Sequence, residues 1–283
     1  MGRSQPTVVA SQIAALDDPR LREVANRYSV DTLAGIDWLK ELNLVEPRRG
    51  LRCLSVRERA TKRAVDIVGA SLLLVGIAPI MLMAAVLIKL TSPGPSLYNQ
   101  TRTGLNRRDK RRDRRGKNEG PPEGEACRRR ENRRANRGFG LPFTIYKFRS
   151  MRLDAEVNGP QFAQERDPRV TRLGRFLRKS RIDELPQLVN VLRGEMSLVG
   201  PRPERPEFIK ELSKDIPGYL DRLGIKPGLT GLAQVANGYD VDKDAMRRKV
   251  RLDMHYLQNC SPMNDFRILL RTVSVVLTGK GAR

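Results

Sequence analysis

The pattern of apolar and polar positions divides the chain into unlike stretches. From Ile67 to Ile88 there are 22 residues without a charge, IVGASLLLVGIAPIMLMAAVLI. A straight helix of that length reaches ~33 Å, about the thickness of one bilayer core. Few helices of soluble domains are apolar on every side, so this run predicts a membrane segment. It begins more than 60 residues into the chain, and no small-residue cleavage pattern follows it, which argues against a secretory signal. Elsewhere the periodicity is weaker. In a soluble helical extension over 1–61, Asp31 can cap a helix with Leu33, Ile36, Leu39 and Leu42 on one face. Phe143–Phe148 (FTIYKF) predicts a short strand. Leu185–Leu192 predicts a short helix with Leu185, Leu188, Val189 and Leu192 on one side. Near the end, Phe266, Leu269, Leu270, Val273, Val276 and Leu277 keep helical spacing, bordered by Arg267, Arg271 and Lys280. That pattern fits a core helix and an interfacial amphipathic helix equally well.

Charge sharpens the picture. The 54 Lys and Arg outnumber the 32 Asp and Glu, for a net charge of +22, which predicts an anionic partner. Both flanks of the apolar run are basic: Arg57, Arg59, Lys62 and Arg63 before it, Lys89, Arg102, Arg107 and Arg108 after it. Positive flanks favour the cytoplasmic side. One way to satisfy both is to enter and leave on the same face; a plain span is the other reading. Pro79, just past the middle of the run, removes a helix hydrogen bond and is the natural place for a break. Residues 106–138 hold 12 Arg and two Lys against six acids, a net charge of +8, with almost nothing apolar to bury. They predict a disordered Arg-rich insert. With no aromatic residue for base stacking and a membrane segment beside it, the insert points to anionic lipid rather than nucleic acid. Cys53, Cys127 and Cys260 form no CxxC pair, and a lone His255 excludes a multi-histidine metal site.

The chemistry concentrates in residues 178–208. Asp183 and Glu184 stand just before Pro186, a residue favoured in a first helical turn. A helix start attracts phosphate through free N–H groups and the dipole. Arg178, Lys179 and Arg181 precede the pair, and Arg202 and Arg205 follow it. Acids for a divalent ion beside arginines for phosphate oxygens are what phosphoryl transfer requires. By residue type alone, the acidic pair reads equally as a helix cap. The rigid turn Gly200-Pro201-Arg202-Pro203 points an arginine, and Lys226-Pro227-Gly228 can bring backbone amides close to a phosphate.

Four stretches carry a resemblance. They are KRAVDIVGASLLLVGIAPIMLMAAVLIKLTSPGPSLYNQTRTG (62–104), PFTIYKFRSM (142–151), DPRVTRLGRFLRKSRIDELPQLVNVLRGEMSLVGPRPERPEF (167–208) and KPGLTGLAQV (226–235). In this order they resemble the bacterial sugar transferases, the monotopic phosphoglycosyl transferases that load a sugar phosphate onto a polyprenyl phosphate. The resemblance implies a mostly helical α/β fold with a few short strands. It implies a re-entrant membrane helical hairpin over 62–90, broken at Pro79, and a cytosolic catalytic domain over 91–283 with interfacial amphipathic helices. It implies a UDP-sugar donor, undecaprenyl phosphate as acceptor, release of UMP, a requirement for Mg²⁺, membrane lipids and downstream glycosyltransferases as partners, and the cytoplasmic face of the bacterial inner membrane. Asp183 falls on the family's nucleophile and Glu184 on the second acid, with both near the metal. Lys147, Arg178, Arg202 and Lys226 match, or stand in for, phosphate-binding positions.

The chain departs from the family pattern in three places. Ala78-Pro79 replaces a common Ser-Pro. Tyr239 follows Asn237-Gly238 where many members have arginine. The basic insert fills a place where most have only a few residues. An inactive relative and a membrane-tethered nucleic-acid binder are the competing readings.

Overall fold

The computed structural model describes residues 54, 56–105, 140–157, 159, 161, 167–216, 219–236 and 243–278. Residues 1–53 of the expected extension, the Arg-rich insert 106–138 and the segment with Asn237, Gly238 and Tyr239 lie outside them.

Helix α1 (Val56–Thr91) contains the whole apolar run, with Pro79 inside it. The helix is continuous where a break was expected. Among the described residues it is the one helix long and apolar enough to cross a membrane. Its burial follows a single stripe. Lys62, Asp66, Ala70, Ala84 and Ile88 are buried, and Leu74, Ile77 and Met81 pack partly. Steps of three and four keep one face against the domain on both sides of Pro79. The other faces expose large apolar side chains, among them Leu72 at 69%, Val75 at 76% and Leu90 at 77%. A soluble surface rarely tolerates so continuous a patch, and it marks the chain as membrane-associated.

Strands β1 (Leu97–Thr103) and β2 (Pro142–Phe148) form an antiparallel pair, with Tyr98 opposite Lys147 and Thr103 opposite Pro142. Helix α2 (Arg172–Lys179) starts at a Thr171 cap, whose side chain accepts from Gly174 N. A 3₁₀ turn, Ile182–Gln187, runs directly into α3 (Leu188–Arg193). Strand β3 (Ser197–Val199) is followed by α4 (Pro206–Asp215) and a second 3₁₀ turn, Tyr219–Gly224. Strand β4 (Gly228–Thr230) then pairs with β3 in parallel, Ser197 opposite Gly228. Helices α5 (Leu232–Ala236), α6 (Lys243–Gln258) and α7 (Pro262–Thr278) complete the domain. Two small sheets among helices fit the expected mostly helical α/β class.

The main core gathers Ala70 of α1, Ile145, Leu188, Val191, Leu198, Leu232 and Tyr256. A smaller cluster joins Ala84 and Ile88 of α1 to Phe148 and Leu177, with Ile182 packed against them. Both halves of α1 therefore belong to the interior of the domain as well as to its apolar surface. Its foot docks by polar contacts. Lys62 Nζ donates to Asp265 Oδ2 at 2.6 Å and to Val199 O at 2.9 Å. Arg63 donates to Val191 O and Leu192 O, closing the end of α3. Asp66 accepts from Ser197 Oγ and Leu198 N, each at 2.9 Å. Two members of the basic flank, Lys62 and Arg63, are thus bound within the domain.

Helix α7 is inside out. Asn264, Asp265 and Ile268 are buried, while Met263, Phe266, Leu270 and Val273 are between 55% and 59% exposed. Of the two readings left open for this helix, a purely core-facing one is excluded, since most of these apolar residues point outward while Ile268 and Leu269 pack inward.

The Lys62–Asp265 pair has side chains only 9% and 10% exposed. Removing one partner strands the other charge, so Asp265→Ala should destabilise the domain by about 3 kcal/mol or more. Replacing both, Lys62→Met with Asp265→Leu, should recover most of that loss. Thermal melting in detergent checks both outcomes.

Candidate active site

The acidic pair sits where two short elements meet. Arg181, two residues past α2 and immediately before the 3₁₀ turn, has φ 60°, the one positive φ outside glycine among the described residues. The chain then turns into the 3₁₀ segment with Pro186 inside it. Asp183 and Glu184 are 7% and 8% exposed. A buried carboxylate needs a cation or several donors, and Glu184 has two cations. Lys147 on β2 donates to Oε1 at 3.0 Å. Arg202 donates through Nη1 to Oε2 at 3.2 Å and through Nη2 to Oε1, a two-pronged pair. No side chain among the described residues forms a salt bridge with Asp183.

The two carboxyls diverge in acidity. Burial, then the neighbouring Glu184 charge, pushes Asp183 up to about 6, against the pull of Lys147, Arg178 and Arg202. Burial also opposes ionisation of Glu184, but Arg202 and Lys147 outweigh it and hold its pKa well below the ordinary value. Burial pulls the Lys147 pKa down, with Glu184 resisting. Asp183 is therefore a comparatively basic carboxylate beside one that is firmly ionised.

Of the residues expected from sequence, Lys147 and Arg202 converge on Glu184, and Arg178 lies close enough for its charge to act on Asp183. Lys226 lies elsewhere: its Nζ is 3.6 Å from where a Cβ on Gly194 would stand, beside the Arg63 guanidinium at the end of α3. The Lys226-Pro227-Gly228 turn also differs from expectation. Gly228 N donates to Pro201 O at 2.9 Å, so that amide is occupied within the protein. A Cβ on Gly228 would meet Gly200 N at 2.1 Å, so close backbone contact is what this glycine provides.

Sequence reasoning missed Asn190, which is fully buried. Its Oδ1 accepts from Tyr146 N at 3.2 Å, and its Nδ2 donates to Thr144 O and Glu195 Oε2, each at 2.7 Å. The amide completes the unpaired edge of β2 as a neighbouring strand would. Asn190 is continuous with the turn bearing Asp183, so it fixes Lys147 against Glu184. The available signal was a lone amide inside the apolar run LVNVL.

An ionised acid between two cations, with a second and more basic acid beside it, makes this the candidate site of the domain. The model of the bacterial sugar transferase family matches residues 57–111 and 129–279, and the chain belongs to that family. It is 42% identical over 222 residues to the UDP-N-acetylgalactosamine-undecaprenyl-phosphate N-acetylgalactosaminephosphotransferase of Aeromonas hydrophila, covering 78% of this chain and 45% of that protein. It is 42% identical over 225 residues to the UDP-glucose:undecaprenyl-phosphate glucose-1-phosphate transferase of Caulobacter vibrioides, covering 78% and 71%. It is 38% identical over 230 residues to the exopolysaccharide production protein PSS of Rhizobium leguminosarum, covering 78% and 97%. The chain thus spans less than half of the first relative and nearly all of the third.

Glu204, two residues past Arg202, offers a pH test. Burial would raise its pKa, but Lys249 at 2.6 Å, then Arg222 and Arg102, outweigh burial and hold it at about 2. A depressed carboxyl stabilises the fold fully above its unfolded pKa, near 4.5, and loses that contribution as pH falls through about 2. Glu204→Gln should therefore cost at most about 3 kcal/mol at neutral pH. The gap between variant and wild-type melting curves should narrow steadily below pH 4.5.

Proposed function

We propose that the chain transfers a sugar 1-phosphate from a UDP-sugar to polyprenyl phosphate, undecaprenyl phosphate in bacteria, and so starts exopolysaccharide or a related surface glycan. The observation that carries this reading is Glu184 held between Lys147 and Arg202, with the more basic Asp183 next to it.

In the first step a carboxylate oxygen of Asp183 attacks the β-phosphorus of the donor. The bond from that phosphorus to the bridging oxygen breaks, and UMP leaves. The phosphosugar is then an acyl phosphate on Asp183. In the second step a phosphate oxygen of the lipid attacks the same phosphorus. The bond to Asp183 breaks and the free carboxylate returns. Splitting one displacement into two is the usual gain from a covalent nucleophile. Arg178 and Arg202 lie where they can balance charge on the phosphoryl oxygens, and Lys147 keeps Glu184 ionised.

The donor set fits a magnesium ion. Mg²⁺ commonly takes one or two carboxylates and completes its shell with water and substrate phosphate. Asp183 and Glu184 offer two adjacent carboxylates; both Glu184 oxygens already accept from Lys147 and Arg202, so Asp183, which has no salt bridge among the described residues, is the more open donor. Bound there with the donor, the ion would neutralise diphosphate charge.

Location follows from α1. Ile182, one residue before Asp183, packs in the cluster with Ala84 and Ile88. A site against the membrane helix suits a reaction between a soluble and a lipid-borne substrate. A re-entrant path for α1 is supported by its two ends. Lys62 bonds Asp265 at one end, and Arg149 Nη2 donates to Ser92 O at 3.0 Å just past the other. A straight helix of 36 residues would reach ~54 Å, yet both ends are held by one domain. The exposed apolar face of α7 would rest on the same leaflet. The basic flanks favour the cytoplasmic face of the inner membrane, from which downstream glycosyltransferases would take the product.

The test is UMP release from membranes containing the chain, with undecaprenyl phosphate, Mg²⁺ and a panel of UDP-sugars. One donor should give release, and Asp183→Asn should lower it by at least ~1,000-fold, as expected on removing a covalent nucleophile. Glu184→Gln should also be severely impaired. Release that survives Asp183→Asn would rule out the covalent route. No release with any donor, together with nucleic-acid binding lost on deleting 106–138, would favour the binder instead.

A further inference from the structure

Arg202 is fastened through its backbone on both sides. Pro201 has its φ fixed by its ring, and Pro203 confines Arg202 to extended backbone. Two peptide planes flank the Arg202 Cα, and each is pinned. The plane before it is held where Gly228 N donates to Pro201 O at 2.9 Å. The plane after it has no N–H, because Pro203 follows, so only the Arg202 carbonyl can be held. Arg222 Nη2 donates to that oxygen at 3.0 Å.

Arg222 is itself 2% exposed, and so is Asp253, whose Oδ2 lies 2.7 Å from Nη2. Its other prong, Nη1, donates to Tyr219 Oη at 3.0 Å. Further along the same turn, Arg102 Nη1 donates to Pro203 O at 3.1 Å, and Thr103 N to Glu204 O at 3.0 Å. Before it, Lys62 Nζ and Tyr256 Oη both donate to Val199 O. A buried ion pair is weak support for stability, because apolar residues of similar size commonly serve as well. What an apolar pair cannot do is hold a carbonyl.

We propose that Arg222, oriented by Asp253, is a positioning residue. By fixing the carbonyl of Arg202 it sets where the Arg202 guanidinium stands relative to Glu184 and the donor diphosphate. The inference rests on the function proposed above. It adds that the precision of the phosphate site is held by a pair on the second 3₁₀ turn and α6. A misplacement of about 1 Å at such a site can cost ~100-fold in rate.

The test uses the full chain in native membranes or detergent. Arg222→Met with Asp253→Leu replaces the pair by apolar residues and keeps the interior filled. Arg222→Lys keeps one charge but cannot serve Tyr219, Arg202 and Asp253 together. Each is made alone and in an Arg202→Ala background. Melting temperature, kcat and KM for the UDP-sugar, and UDP affinity by calorimetry are measured. The apolar pair is expected to melt near the wild-type temperature yet lose at least tenfold in kcat/KM and several-fold in UDP affinity. In the Arg202→Ala background it should add little further loss. Arg222→Lys should fall between the two.

Wild-type kcat/KM in the apolar pair would overturn the proposal, as would equal losses with and without Arg202, which would mean a purely structural role. Should the apolar pair fail to give a melting transition, Arg222→Lys decides: a native melt with undiminished turnover and UDP affinity sinks the idea. Nucleotide binding without UMP release from the wild type would defeat the transfer reading while the affinities still judge the clamp. A wild type that neither binds UDP nor releases UMP would overturn both.

Discussion

A carboxylate buried as deeply as Glu184 stays ionised only if cations come to it. Here they come from segments far apart in sequence: Lys147 on β2 and Arg202 on the turn after β3. Much of the domain can be understood as the means of holding those segments together. Asn190 closes the edge of β2, and close contact of Gly200 with Gly228 sets β3 against β4. The 3₁₀ turn bearing the acids packs against β2 and between α1 and α2. Asp183 draws its unusual basicity from the same burial and from the charge that this arrangement keeps on Glu184.

The second organising element is α1, which has two kinds of neighbour. One stripe, from Lys62 to Ile88, is part of the protein interior, and the remaining surface is apolar and open. Membrane attachment and domain folding therefore share one helix. The same economy appears in α7, whose inward face carries Asn264 and Asp265 while its outward face carries Met263, Phe266 and Leu270. In both helices large apolar side chains face outward while polar groups are buried within the domain.

Several of these features were readable from residues alone. The uncharged run announced α1, FTIYKF announced β2 nearly to its boundaries, and IDELPQ announced a helix start with paired acids. Lys147 and Arg202 were found through motifs, and both meet Glu184. Lys226 was expected at the site but stands beside Gly194, because its turn is used to bring Gly228 against Gly200. The helix 185–192 was expected to turn Leu185, Leu188, Val189 and Leu192 inward, yet Gln187, Leu188, Asn190 and Val191 are the buried ones and Leu185, Val189 and Leu192 are only partly buried. Arg222 and Asp253 gave no signal: each is an ordinary charge in an ordinary helical stretch until the fold places them together. Local pattern reports which face a residue prefers. It does not report which distant carbonyl that residue will hold.

The bond between Lys62 and Asp265 joins residues 203 positions apart. At typical translation speeds of ~5–20 residues per second, the foot of α1 leaves the ribosome roughly 10–40 s before its partner exists. The apolar run can enter the lipid during that interval, but its base cannot be sealed. The contact that closes the foot of α1 can therefore form only after α7 has been made.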